Sequence, residues 1–216
     1  MDKNFLKRVA YLVFGCYLYG LGLTFYVYNG LGMDPWNVLH SGISMHTGIG
    51  IGIVNVMVSI IIIFIAVAMG ESFGIGTIFN STLIGGFLQL NINTGIFSVP
   101  DTLMMKIAFL FLGMIIIGFA TYYYIKPSFG SGPRDSLSIA LSKKWKMKMG
   151  YSKSIVDVMA VVIGIMLGGS FGIGTIISSV LGGVFVQMVF NMYSFDVKNL
   201  KHENIFETMK RLEKVK

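Results

Sequence analysis

The 216-residue chain contains a single cysteine and few charged residues. Because Cys16 is alone, no disulfide can form within the chain, and its place in an apolar stretch predicts a buried, inert thiol. Charged residues make up only 12% of the sequence, whereas 54% are hydrophobic and the mean hydropathy is +0.73. A water-soluble domain of this length would need more polar surface. The composition therefore predicts an integral membrane protein surrounded by a lipid bilayer.

Signatures of common catalytic and cofactor sites are also missing. The glycine-rich segment Gly74-Ile-Gly76 lacks the following lysine and serine that a phosphate-binding loop requires. There is neither a Gly-x-Ser-x-Gly elbow nor a His-Glu-x-x-His pair. His40 and His46 are spaced so that they lie on different faces of a helix, which disfavours a shared metal. We therefore expect no enzymatic activity, no cofactor and no metal site.

Six apolar segments are long enough to cross the hydrocarbon core of a bilayer, about 30 Å thick, as helices. They cover residues 9–28, 50–69, 75–92, 103–125, 154–168 and 174–193. The third and sixth contain polar residues and paired glycines, and the fifth is short. The predicted fold class is an all-α integral membrane protein with six transmembrane helices.

Lysine and arginine are concentrated in alternate connections between these segments. All but one of the 17 basic residues precede the first segment, lie between the fourth and fifth, or follow the sixth; the exception is Lys106. Because basic residues are retained on the cytoplasmic side, both termini are predicted to be cytoplasmic. The net charge of +7 then reflects topology and attraction to anionic lipid, and it implies no nucleic-acid partner.

Landmarks in residues 1–98 recur in the same order in residues 99–193. The matching pairs are Gly30-Leu-Gly32 with Gly130-Ser-Gly132, Asp34 with Asp135, Ile53–Met57 with Ile155–Met159, and Ser72–Ile78 with Ser170–Ile176. This order predicts a duplicated unit of three membrane spans. Since three is odd, the second unit is predicted to be inverted relative to the first. Residues 194–216 would form a basic cytoplasmic tail, in which Ile205, Met209 and Leu212 recur at helical spacing.

Each half is predicted to contain one additional short helix. Asp34 can cap a helix that begins at Pro35 and ends near Gly48, and its counterpart runs from Pro133 to the lysines at 143–146. About 12 residues are too few to span a bilayer. In one interpretation the two helices are re-entrant and their glycine-rich starts approach a midplane cavity from opposite faces. In the other they lie on the two membrane surfaces, with Trp36 and Trp145 as anchors.

Ionisable residues near these helices are candidates for binding a solute or a coupling ion. Asp157 lies about one turn inside the predicted cytoplasmic end of the fifth segment, and its repeat counterpart is Asn55. A carboxylate at membrane depth is typical of a solute pathway or a proton relay, whereas a fixed ion pair with Arg134 or Lys153 is the structural alternative. Arg134 would instead hold an anionic solute if its short helix dips inward.

A stripe of small and polar residues recurs in the third and sixth segments. It comprises Thr77, Ser81, Gly85 and Gln89, and again Thr175, Ser179, Gly183 and Gln187. The glutamines offer donors and acceptors to a solute, whereas close helix packing through the small residues is the alternative. Tight reversals at Gly74-Ile-Gly76 and Gly172-Ile-Gly174 precede the stripes, with Thr77 and Thr175 as predicted N-caps. The full candidate set is Asp34, Asn55, Ser81, Gln89, Arg134, Asp135, Asp157, Ser179 and Gln187.

Together these motifs resemble the YczE/YyaS/YitT family of bacterial multi-pass membrane proteins. The resemblance covers both halves and rests on Gly32–Trp36 with His40, Gly130–Asp135, and Gly168–Thr175 with Gln187. It implies a bacterial plasma membrane protein of this architecture but no substrate. Inverted three-helix repeats are typical of transporters, so we expect a permease-like protein for a small solute, with a homodimer or a membrane partner also compatible. The alternative is a non-transporting accessory protein that acts through its cytoplasmic loop and tail.

Overall fold

A computed structural model describes residues 3–71 and 74–203, and the described residues form eight α-helices and one short 3-10 helix. The α-helices are α1 Lys3–Tyr28, α2 Pro35–Thr47, α3 Ile51–Ala68, α4 Ile75–Asn93, α5 Leu103–Ile125, α6 Pro133–Lys144, α7 Met149–Met166 and α8 Ile173–Met192, and the 3-10 helix is Val197–Asn199. The predicted tail helix around Ile205, Met209 and Leu212 lies outside the described residues.

Four of the described helices are long and apolar enough to cross a membrane, namely α1, α5, α7 and α8. Helix α3 adds a shorter apolar stretch, Ile53–Ala68. Helix α4 has 19 residues, but asparagine, serine, threonine and glutamine interrupt its apolar sequence. The helices fit an α-helical membrane protein, whereas six spans arranged as two repeats stay a prediction.

The centre of the bundle is the pair α1 and α5, which pack closely through glycines. A Cβ atom on Gly15 of α1 would overlap the backbone of Tyr124, and one on Gly22 would lie 2.6 Å from a side-chain carbon of Ile117. Helix α4 flanks α1, and helix α8 flanks α5. Small residues allow these backbones to approach, which is how helices associate where lipid removes the hydrophobic driving force.

The bounds predicted for the two short helices are confirmed. Asp34 caps α2 by accepting a hydrogen bond from the backbone N–H of Trp36, and Pro35 is the first helical residue. Gly48 ends α2 in the left-handed conformation, with φ of 70°. Pro133 likewise begins α6, which ends at Lys144. Local capping chemistry accounts for both ends of α2, whereas α6 begins at Pro133 without a side-chain cap.

The predicted start of the fifth segment is wrong, because α7 begins at Met149 rather than near residue 154. The helix continues through the polar residues there because Ser152 donates to the carbonyl of Ser138 (2.7 Å) and Lys153 bonds to Asp135. Lys153 is therefore a buried residue of α7 rather than part of a cytoplasmic connection. Asp157 lies eight residues after Met149, about 12 Å along the helix, near its middle and not one turn from its end.

The N-caps predicted for α4 and α8 are also wrong. Gly74 and Gly172 cap these helices, while Thr77 and Thr175 occupy their first turns. Each threonine hydroxyl donates to a carbonyl in the opposite half instead, that of Ser131 for Thr77 (2.8 Å) and that of Met33 for Thr175 (2.7 Å). The caps are glycines because the other half's backbone lies against them.

The connections that precede α2 and α6 therefore pack on the starts of α8 and α4. Leu31 accepts a hydrogen bond from the N–H of Gly174 (2.9 Å), and Phe129 accepts one from the N–H of Gly76 (2.7 Å). Gly32 and Gly130 have φ of 141° and 107° and lie against Gly172 and Gly74. Positive φ or close backbone approach favours glycine at seven of the predicted helix-break positions, namely Gly30, Gly32, Gly130, Gly74, Gly76, Gly172 and Gly174, whereas at the eighth, Gly132, a Cβ atom would overlap the side chain of Asn80.

After α8 the chain packs against the connection between α5 and α6. Val197 is buried in the main core cluster, and the N–H of Glu203 donates to the carbonyl of Ser128 (2.8 Å). His202 is buried beside them, and burial together with the positive charge of Lys143 lowers the pKa of its imidazole. Residues 197–203 therefore form a docked segment at one end of the bundle.

Candidate functional site

The N-terminal ends of α2 and α6 meet beside the middle of α7. Helix α2 runs parallel to α7, since Trp36 contacts Asp157 whereas Gly42, further along, lies against Gly164 and Leu167. Helix α6 leaves the same region toward the start of α7, where its Ser138 accepts a bond from Ser152. The short helices thus point their N-termini at one central region from opposite directions.

Five charged residues and a tryptophan gather in this region, and we call them the central polar cluster. Its members are Asp34, Trp36, Arg134, Asp135, Lys153 and Asp157. The first two come from residues 1–98 and the other four from residues 99–193. If all five charged groups are ionised, the cluster has one negative charge in excess.

One part of the cluster is a buried ion pair. Lys153 Nζ lies 2.9 Å from Asp135 Oδ1, and the two residues are only 6% and 3% exposed. The hydroxyl of Tyr124 donates to the other carboxylate oxygen of Asp135. Both oxygens of this carboxylate are therefore occupied, which is how a buried charge is stabilised.

Asp157 has a different environment. It is 6% exposed, and its Oδ1 accepts a hydrogen bond from the indole N–H of Trp36 at 2.9 Å. No cation lies within salt-bridge distance of it in the described part of the chain. The expected pairing with Arg134 or Lys153 is therefore not formed, and its second oxygen makes no hydrogen bond with the described residues.

Arg134 joins the two halves. Its guanidinium lies over the ring of Trp36, 5.0 Å from the ring centre, and donates to the side-chain oxygen of Asn55 at 3.2 Å. It also lies 3.6 Å from a carboxylate oxygen of Asp34. With a side chain 28% exposed, Arg134 is the most accessible charge of the cluster. A guanidinium over an aromatic face is a favourable cation–π arrangement.

His40 lies one turn after Trp36 on α2, and the two ring centres are 6.4 Å apart. The side chain is fully buried, and neither ring nitrogen has a hydrogen-bond partner among the described residues. A buried imidazole without partners costs about 1–3 kcal/mol. The two ring nitrogens can therefore form further hydrogen bonds beside the central polar cluster.

The structure brings together five of the predicted candidates and separates the other four from them. Asp34, Asn55, Arg134, Asp135 and Asp157 meet at the cluster. Ser179 is buried in α8 and bonds to its own helix, whereas Ser81 and Gln89 face outward from α4. Gln187 accepts a hydrogen bond from the backbone N–H of Gly150, at the contact of α7 with α8.

Sequence reasoning did not assign Trp36, Tyr124, Lys153 or His40 to the site. One of the two interpretations of the short helices makes Trp36 and Trp145 surface anchors, but Trp36 is buried, whereas Trp145 is 49% exposed. The signal available for Trp36 is its place directly after the Asp34-Pro35 cap, in the first turn of α2. Tyr124 and Lys153 carry no local signal, because their common partner lies on a third helix.

The profile of a family of unknown function, DUF6198, matches residues 6–191, and the chain belongs to this family. An uncharacterized protein of Haemophilus influenzae is 30% identical over 186 residues, which cover 86% of this chain and 84% of the relative. The uncharacterized membrane protein YczE of Bacillus subtilis is 23% identical over 189 residues, covering 87% of each chain. The uncharacterized protein YyaS of the same organism is 26% identical over 188 residues, covering 84% of this chain and 91% of its own length.

These matches confirm the resemblance to YczE and YyaS and support a membrane location. The family match spans both of the predicted halves. No solved structure matches the chain significantly.

Proposed function

We propose that this member of the DUF6198 family is a permease-like transporter that binds a small solute at the central polar cluster, between residues 1–98 and 99–193. The observation that carries the proposal is the position of Asp157. It lies halfway along a helix long enough to span a membrane, is buried, and lacks a cationic partner within the described residues. Ionisable groups at membrane depth are costly and are typical of solute or ion pathways.

The two short helices support this assignment. In the proposed arrangement both are re-entrant, because their N-termini lie at the level of the middle of α7 and they depart in opposite directions. Broken or half-inserted helices whose ends meet at the midplane are a recurring way to build transporter sites. A position on the membrane surface would instead place Trp36 near an end of α7.

Paired contacts support an inverted repeat. Thr77 and Thr175 bond to the connections that precede α6 and α2, and Gly76 and Gly174 donate to the same two connections. These positions are equivalent in the two matching sequence segments, Ser72–Ile78 and Ser170–Ile176. Two halves that exchange the same contacts are expected to be related by a pseudo-two-fold axis, which here would pass near the central polar cluster.

The charge balance favours a positively charged solute or coupling ion. Asp34, Asp135 and Asp157 outnumber Arg134 and Lys153 by one. An added cation or proton would remove the excess charge from a region where uncompensated charge is costly. One carboxylate oxygen of Asp157 makes no hydrogen bond with the described residues, and the buried nitrogens of His40 lie one helical turn from Trp36. In this proposal the cluster binds and does not catalyse.

A thermal-shift screen of the detergent-purified protein against pooled metabolites and ions tests the proposal. A ligand present at about 100 times its Kd stabilises the folded state by about 2.7 kcal/mol, enough to raise the melting temperature measurably. We expect the shift to disappear in Asp157→Asn and to persist in Asp101→Asn, whose residue is exposed in the α4–α5 connection. A hit should then be taken up by proteoliposomes containing the wild type but not Asp157→Asn.

One observation favours the accessory alternative. Lys144, Lys146 and Lys148 are all exposed around the α6–α7 connection, where they form a basic surface. Such a surface would suit anionic lipid or an acidic partner. If the folded protein gives no ligand hit and uptake is absent, while deletion of residues 204–216 abolishes its cellular role, the accessory function replaces the transporter.

A further inference from the structure

The two halves differ at one pair of equivalent helix surfaces. In the second half, α7 and α8 pack so closely that a Cβ atom on Gly150 or Gly183 would overlap the other residue's carbonyl oxygen. Ser154 donates to the carbonyl of Val180 (2.7 Å), and Gln187 accepts from the N–H of Gly150 (3.1 Å). We call this contact the α7–α8 seam.

The equivalent surfaces of the first half are apart. By the sequence match, Gly183 and Gln187 correspond to Gly85 and Gln89, whereas Gly150 corresponds to Gly48, which ends α2 and precedes α3. A Cβ atom on Gly85 would meet nothing within 4 Å. Over the described lengths of α3 and α4 there is no contact comparable to that of α7 with α8.

The exposed stripe of α4 that carries Ser81, Gly85 and Gln89 has the chemistry of a helix contact. Gln89 bonds to Asn93 (2.7 Å) in the same way as Gln187 bonds to Asn191 (2.8 Å). The side-chain oxygen of Gln187 accepts a hydrogen bond at the seam, whereas Gln89 is exposed and its side-chain oxygen has no partner among the described residues. Ser81 is exposed on the same surface. Polar groups that face hydrocarbon without partners are costly, and small residues with polar side chains favour close helix packing.

We infer that the protein has a second state in which α3 packs on α4 through contacts equivalent to those between α7 and α8 in this structure. In that second state the α7–α8 seam is open. Helix α3 is the helix that packs on the α4 surface, because the equivalent surface of α8 packs against α7, and α7 is the equivalent of α3. The inference rests on the proposed transport function, for which exchange of the two seams would open the central polar cluster alternately to each side. With the orientation that the basic residues predict, this structure is closed at the cytoplasmic seam and open at the outer one.

Cross-linking of paired cysteines tests the exchange, in a Cys16→Ala background that removes the single native thiol. Ser154→Cys with Val180→Cys reports the α7–α8 seam. By the sequence match, Gly52→Cys with Thr82→Cys reports the α3–α4 seam. Membranes are treated with a short thiol cross-linker, and the product is assigned to one chain or to two by its size. We expect both pairs to cross-link within one chain.

Gly183→Ala then shifts the balance, because its added methyl group cannot fit the closed α7–α8 seam. We expect it to raise the yield of the α3–α4 pair at least about threefold and to lower that of the α7–α8 pair. Gly182→Ala is the matched control, since a Cβ atom there meets nothing within 4 Å, and it should change neither yield. Gly150→Ala replaces Gly183→Ala if the latter does not fold.

Two results would overturn the inference. One is an α3–α4 pair that never reacts within a chain, even in the folded Gly183→Ala or Gly150→Ala protein. The other is a product that links two chains, which would make the α4 surface a dimer interface. The cross-linking measurement needs no solute, so it separates the two proposals. Seam exchange without solute uptake would support this inference and contradict the transport function. Solute uptake without seam exchange would support the transport function and contradict this inference.

Discussion

Replacing Lys153 by methionine removes the ammonium group from a buried ion pair and leaves the Tyr124 hydroxyl as the one side-chain partner of the Asp135 carboxylate among the described residues. Because both charged residues are less than a tenth exposed, water cannot replace the lost partner. Loss of one member of such a pair costs about 3–5 kcal/mol of unfolding free energy. For a chain of this length that corresponds to a melting temperature lower by roughly 10 °C. Lys148→Met, at an exposed lysine, should shift it by less than about 2 °C.

The double variant Asp135→Asn with Lys153→Met separates a charge effect from a packing effect. It removes both charges, so its loss of unfolding free energy should be about 2–3 kcal/mol smaller than the sum of the two single losses. Thermal unfolding in one detergent, followed by tryptophan fluorescence, measures all four proteins. Additive losses, or a Lys153→Met protein as stable as the wild type, would refute the assignment of this pair as a buried ion pair.

Three further predictions concern other parts of the chain. Trp36→Phe removes the indole donor to a buried carboxylate and should lower the unfolding free energy by about 1.5–3 kcal/mol in the same thermal assay. Gly130→Ala should destabilise more than Gly70→Ala: both glycines have positive φ, but only at Gly130 would a Cβ atom lie within 3 Å of a neighbouring side chain. Burial, and to a lesser extent the charge of Lys143, lowers the pKa of His202 to about 4, so residues 197–203 should undock in acid, as increased amide exchange would show.

The sign of the last effect follows from the two pKa values. The unfolded imidazole has a pKa of about 6.5, so the docked, neutral form is fully favoured above that pH and loses stability as the pH falls toward 4. The lowered pKa corresponds to at most roughly 3–4 kcal/mol in the free energy of docking residues 197–203. In His202→Phe the exchange of this segment, corrected for its intrinsic rate, should not differ between pH 7.5 and pH 5. A pH dependence that survives this substitution would assign the effect to another group.

Elements with local signals could be predicted from the sequence, and elements set by distant partners could not. The ends of α2 follow from Asp34, Pro35 and Gly48, which act on their own helix. The start of α7 depends on Lys153, and its partner Asp135 lies on another helix. The reason is physical: a charged residue can lie in the buried part of a helix when another helix supplies its partner, and the sequence of its own helix does not show that partner.

The candidate site divides in the same way. Asp157 could be identified because a carboxylate inside an apolar segment is unusual in any context. Its partner Trp36 could not, since an indole in a short amphipathic helix is equally typical of a membrane surface. The stripes around Gln89 and Gln187 are equivalent in sequence, yet one is exposed and the other forms a seam. Identical patterns cannot predict that difference, because it depends on the conformation that the two halves adopt.

The helix contacts show which part of the cluster must change if the seams exchange. Helix α2 packs on α7 and helix α6 packs on α3, so each short helix lies against a long helix of the opposite half. The Trp36–Asp157 bond lies within the first of these pairs, and the Arg134–Asn55 bond lies within the second. Two ion pairs, Arg134–Asp34 and Lys153–Asp135, connect the two pairs of helices, together with the Ser152–Ser138 bond and the contact of Arg134 with Trp36. Movement of one pair of helices relative to the other must lengthen these contacts, so a solute that replaces a partner in either ion pair would lower the cost of the exchange. Binding at the cluster and closure of the seams would then be coupled through the same charges.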